Sequence, residues 1–132
     1  MVKVNGAQSV ETIPGRRIVL SAGVGITTID ELKWLSKTIL EYAADWKNSG
    51  WAYIADCSKM SPTTNEESEE LVTMTKKLVD AGCKALGFSE GSSVMLKLQT
   101  HKNTLRSETD VLEGHFATVD QVLDWLEKEV NI

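Results

Sequence analysis

The most constraining feature of this chain is a seven-residue run, Trp51–Cys57 (WAYIADC), apolar at nearly every position and set between two long amphipathic stretches. A strand with one buried face alternates apolar and polar residues. A run that is apolar almost throughout suits a strand covered on both faces, as in a parallel sheet layered by helices. The flanking stretches supply the helices. Thr28 with Glu31 has capping-box spacing, and Ile29, Leu32, Leu35, Ser36, Ile39, Tyr42, Ala43 and Trp46 follow on one helical stripe that ends near Gly50. Thr64 with Glu67 repeats the spacing, with Leu71, Met74, Thr75 and Leu78 as the buried stripe and Gly82 as terminator.

The rest of the chain continues the alternation. Ser9–Ile13 and Arg17–Ala22, separated by Pro14-Gly15, read as a hairpin. Lys84–Phe88 reads as a third parallel strand, residues 92–106 as a thinner helix, and Asp110–Phe116 as a last strand. Thr118 with Gln121 caps a final helix carrying Val119, Val122, Leu123, Leu126 and Val130. The expected order is ββαβαβαβα: an α/β fold with a mostly parallel mixed sheet and helices packed on it.

At 132 residues, with 42% apolar and 25% charged residues, the chain is expected to form a single domain over 1–132. Its net charge of −5 argues against a nucleic-acid backbone binder. It has no apolar run long enough for a membrane span, and its first residues lack the apolar core of a secretory signal, so the expected compartment is the cytoplasm. Cys57 and Cys83 fall at opposite ends of neighbouring strands, too far apart for a disulfide, and read as free thiols.

The element order, the strand ending Asp56-Cys57-Ser58 and the C-terminal HFATVDQVLDWL together resemble the STAS-like superfamily, and within it the SpoIIAA-like branch of small bacterial proteins. That branch commonly ends in a Phe-containing strand followed by a helix of ALxWL type; here the matching residues are Phe116 and Val122-Leu123-Asp124-Trp125-Leu126. The resemblance implies a regulatory module such as an anti-sigma-factor antagonist, or a relative holding an apolar ligand between helices and sheet. In the antagonists a serine at the start of the helix after the Asp-ending strand is phosphorylated. That place falls at Asn65 or Glu66, neither of which accepts phosphate in that chemistry.

Ligands on open α/β sheets gather beyond the carboxyl ends of the strands. That rim would carry Asp56, Ser58, Ser89 and Ser92, although the same residues serve equally as turn formers and caps. Asp56 could hold a cation or a partner, or cap the turn through Ser58 or Lys59. Gly23-Val24-Gly25 lacks the third glycine of a dinucleotide loop, since position 28 is Thr28. Cys57 as a nucleophile would need a nearby base. His101 shares a helical face with Val94, Leu98 and Leu105, which would place it against the sheet, in a pocket beneath the helix, or at the boundary with a bond to backbone. His115 adjoins Phe116, so one of the two faces each side of the sheet. No metal-ligand motif is visible in the spacing of His, Cys and carboxylates, and no cofactor loop is present. Trp34 lies opposite the apolar stripe of its helix, with Asp30, Glu41 and Asp45, where it would be an interface anchor or be partly buried under the N-terminal segment or a neighbouring loop. Glu66 and Glu67 open an acidic helix turn that would suit a basic partner or simply match the helix dipole.

The expected function is a non-enzymatic regulatory or protein-interaction module, working with a protein partner or as a homodimer. The alternative is a carrier for a small apolar or amphipathic ligand held between the third helix and the sheet.

Overall fold

The fold is taken from a computed structural model that describes residues 2–132. Six strands form one sheet in sequential order: β1 (Lys3–Asn5), β2 (Gln8–Thr12), β3 (Ile18–Gly25), β4 (Trp51–Met60), β5 (Cys83–Ser89) and β6 (Leu112–Phe116). β1, β2 and β3 are antiparallel neighbours, and β3 to β6 run parallel. Four helices connect or follow them: α1 (Ile29–Tyr42), α2 (Asn65–Asp80), α3 (Val94–Arg106) and α4 (Val119–Trp125), the last extended by a π-helical turn, Leu126–Val130. The expected α/β order holds, with one strand added. β1 is three exposed residues, too short to leave a periodic signal.

All three expected capping boxes are present, at Thr28/Glu31, Thr64/Glu67 and Thr118/Gln121. α1 stops at Tyr42, and a 3₁₀ turn, Ala44–Trp46, carries the chain onward. α2 ends at a Gly82 of φ +98°, where a Cβ would also sit 2.3 Å from the Lys47 carbonyl oxygen. Glycine alone meets both conditions.

β4 explains its own composition. Trp51, Tyr53, Ala55 and Cys57 face α1 and α2 in one core; Ala52 and Ile54 face α4 in a second, smaller core with Val122 and Leu126. α4 comes very close to β5: a Cβ on Gly87 would lie 2.2 Å from Val122 Cγ1. The strand continues to Met60, three residues beyond the apolar run, because β3 extends alongside it to Gly25. A bulge there places Ala22 opposite Asp56 but Val24 opposite Lys59, which bends the strand end and re-aims its side chains.

Candidate functional site

On the α1/α2 side of the sheet a cavity of about 70 Å³ lies between β3, β4 and β5 below and α1, α2 and α3 above. Its floor is Tyr53, Ala55, Cys57, Leu86 and Phe88, its walls Leu32, Leu35, Met74 and Leu78, and its roof Leu96, Gln99, Thr100, Asn103 and Thr104 of α3. Polar groups are few and localised. The Ser21 and Tyr53 hydroxyls bond to each other in the floor, and burial pushes the Tyr53 phenol well above its ordinary value, against the opposing effect of that bond. Gln8 Nε2 donates to Thr27 Oγ1 at 3.1 Å. Asn103, in the roof, is 6% exposed and lines the cavity.

The roof is where the structure departs most from expectation. The sequence stripe Val94, Leu98, His101, Leu105 was expected to face the sheet. Val94, Met95, Leu98 and Leu105 are instead 59–70% exposed, while Asn103, Thr104 and Ser107 are buried. α3 is seated with its polar side inward. Polar tethers hold it: Thr63 N donates to Gln99 Oε1 at 3.0 Å and Gln99 Nε2 returns a bond to the Thr63 carbonyl at 3.1 Å. The Thr100 hydroxyl donates to Glu90, and Arg106 pairs with Glu69. Leu96 is the one large apolar side chain of α3 that is fully buried. Each polar tether contributes about 0.5–1.5 kcal/mol net, and each apolar side chain left outside forgoes about 1.5–3 kcal/mol of burial. α3 is therefore the least firmly seated helix over the cavity, the condition for local opening.

Beside the cavity, α3 meets β6 in a cluster of four titratable groups. Glu113 and His115 alternate on β6 and so point to the same side, toward α3. His115 Nδ1 lies 2.8 Å from Glu90 Oε1, and its Nε2 bonds Glu113 Oε2. His101 Nδ1 of α3 lies 2.8 Å from that same Glu113 oxygen. Phe88 stacks on the His115 ring, centroids 5.1 Å apart and 15° from coplanar. Burial pulls the His115 imidazole down, but the hydrogen bonds to Glu90 and Glu113, with their negative charges, together outweigh it and hold the ring above its ordinary value. An open cleft lined by Glu90, Ser92, Ser93, Lys97 and His115 leads from this cluster to solvent at the strand ends.

The residues singled out in the sequence are thus dispersed. Asp56 caps its own turn: Ser58 N and Ser58 Oγ both donate to Asp56 Oδ1, at 3.2 and 2.7 Å. Ser89 is buried and donates to the Ala117 carbonyl at 3.3 Å, so the rim role assigned to its hydroxyl is replaced by a bond between strand and loop. Ser92 is exposed at the outer cleft. His101 is exposed and joins the cluster through Glu113, neither lining the cavity nor facing the sheet. Trp34 is not on a solvated face. It is half-buried against the core of the α1/α2 side, because the buried face of α1 reaches as far as Thr38. Glu67 is buried in its capping box, where Oε1 accepts from Thr64 N at 3.0 Å, so Glu66 alone of that pair stays exposed. Asn65 and Glu66 form the first turn of α2, and the neighbouring Thr64 hydroxyl is occupied by the Glu67 amide.

A grouping of metal-ligand type that sequence spacing does not display is brought together by the fold. His101, Glu113 and His115 bring ligand atoms within 4.8 Å of one another. Only Glu113-x-His115, two residues of one strand face, left a trace in the sequence; His101 joins them through the fold alone.

Burial pushes the thiols of Cys57 and Cys83 up to about 12, and both are free. Among the described residues no helix is long and apolar enough to cross a membrane.

No protein-family profile matches the sequence, and no curated protein matches it. The structure is similar to that of an uncharacterised protein of the DUF3478 family from Shewanella loihica PV-4, described as having a SpoIIAA-like fold. The TM-score is 0.69 at 14% identity, over 91% of this chain and 92% of that one. With its six-stranded mixed sheet, and with the C-terminal strand and helix that the sequence resemblance rested on, this chain has a SpoIIAA-like fold.

Proposed function

We propose that the domain is a non-catalytic carrier that takes a small apolar or amphipathic molecule into the cavity beneath α3, with α3 as its lid. The observation that carries this reading is the cavity itself, apolar in floor and walls and roofed by the polar inner side of a weakly seated helix. At about 70 Å³ it is smaller than a typical small-molecule site, which spans roughly 300–1,000 Å³. Loading therefore requires α3 to lift. The apolar body of the ligand would lie on Tyr53, Ala55, Leu86 and Phe88, and its polar end would meet Asn103. Native mass spectrometry of protein purified without added ligand is the test. A second species above the polypeptide mass is expected, lost in Ala55→Leu, which fills the cavity from the sheet. A bare polypeptide mass that stays bare after incubation with decanoate contradicts the reading.

A second reading, a protein-interaction module of regulatory type, draws on a separate observation: the exposed Val94, Met95, Leu98 and Leu105 of α3. Contiguous exposed apolar residues mark interaction surfaces. Under this reading Leu98→Ser abolishes self-association or partner binding, whereas the carrier keeps its ligand with that substitution.

A further inference from the structure

We propose that His101, Glu113 and His115 form a binding site for one divalent ion of the zinc class, which fastens α3 to β6. The set is two imidazoles and one carboxylate, a combination suited to Zn(II) and neighbouring first-row ions rather than to Mg(II) or Ca(II), which prefer all-oxygen shells. The donor atoms are His101 Nδ1, Glu113 Oε2 and His115 Nε2, all within 4.8 Å of one another. Tetrahedral ligands at about 2.0–2.1 Å from zinc stand roughly 3.3 Å apart, a spacing the three donor atoms, all within 4.8 Å of one another, already approach.

The surroundings distinguish this set from an ordinary surface ion pair. A metal-bound imidazole is held by a hydrogen bond from its other nitrogen, most often to a carboxylate. His115 has that arrangement: with Nε2 on the ion, Nδ1–H donates to Glu90 Oε1 at 2.8 Å. Glu90 is 3% exposed and accepts a further bond from the Thr100 hydroxyl, and Phe88 fixes the plane of the His115 ring. Glu90 and Glu113 place two negative charges beside two imidazoles in a half-buried recess, and a dication neutralises them. His101, 51% exposed at its side chain, leaves the fourth position to water. The ligands come from two elements, so the ion would add a strong bond between the sheet and a helix otherwise held by weaker tethers. The site does not depend on the cavity holding a ligand.

The test is titration of the EDTA-treated protein with Zn(II) alone, followed by calorimetry, with Co(II) as a visible probe of nitrogen ligation. One ion per chain is expected, with a dissociation constant in the micromolar range or below. His101→Ala, at an exposed position that leaves the core intact, should weaken binding at least tenfold and remove the tetrahedral Co(II) absorption. Glu90→Gln should weaken it about 10–100-fold, as loss of an orienting partner does. Zn(II) should also slow hydrogen exchange of the α3 amides in the wild type but not in His101→Ala. Absence of stoichiometric binding, or binding that His101→Ala leaves unchanged, overturns the proposal.

Discussion

Glu90 Oε1 lies 2.8 Å from His115 Nδ1, and the other carboxylate oxygen of Glu90 accepts from the Thr100 hydroxyl. One buried side chain at the end of β5 thus ties β6 to α3. Replacing Glu90 with Ala takes an acceptor from two half-buried partners, His115 and Thr100, and loss of a hydrogen bond to a charged group costs about 1.5–3 kcal/mol. Urea denaturation is expected to show a loss of that size, with hydrogen exchange of α3 accelerating more than that of α1 or α2. Uniform acceleration across the chain would contradict the local role.

Glu31 does for the N-terminal hairpin what Glu90 does for α3. Its carboxylate accepts from Ala7 N and Thr28 N. The Ala7 bond leads in lowering its pKa, burial works the other way, and the Thr28 bonds add to the lowering. A carboxyl held lower in the folded state than in the unfolded chain adds stability above its unfolded value and loses it as pH falls through the folded one. The stability gap between wild type and Glu31→Gln is therefore expected to be fully present at neutral pH and to close as pH drops below the ordinary carboxylate value of 4.5. A gap unchanged from pH 7 to pH 3 would contradict this.

Cys57 and Cys83 are buried, with thiols pushed up to about 12. The thiolate is the reactive form. Ellman's reagent at pH 8 is expected to label neither in the native protein and both in urea. Rapid native labelling of Cys57 would show that the cavity floor opens far more often than this structure implies.

The outer side of α3 gives a prediction opposite to that of the sequence pattern. Leu98 and Leu105 are exposed, so Leu98→Ser and Leu105→Ser are expected to change stability by no more than about 0.5 kcal/mol. Losses of about 2–5 kcal/mol, as for buried leucines, would place that stripe against the sheet after all.

That reversal shows how far the sequence could be read. The strands other than β1 and the three helices with capping boxes were legible because local chemistry marks them: Thr28/Glu31, Thr64/Glu67 and Thr118/Gln121 are short-range signals, and β4 declares its two buried faces residue by residue. α3 was legible as a helix but not in its orientation. Periodicity identifies an amphipathic helix; which side turns inward depends on partners such as Thr63 for Gln99 and Glu90 for Thr100, which lie far away in sequence. Periodicity left Trp34 between an exposed anchor and partial burial for a related reason: a helix flanked by both a sheet and a neighbouring helix buries more than one narrow stripe, and Trp34 lies half-buried at the edge of that wider face, beside Thr38. The His101, Glu113, His115 cluster was hidden because its ligands come from two elements.

The most direct test of the carrier reading is an amide chemical-shift titration of the isotopically labelled protein with decanoate. Saturable shifts concentrated on Tyr53, Ala55, Leu86, Phe88 and the inner residues of α3, Gln99 to Thr104, are expected, and their loss in Ala55→Leu. Shifts confined to the outer residues Val94, Leu98 and Leu105, or none at all, would contradict it.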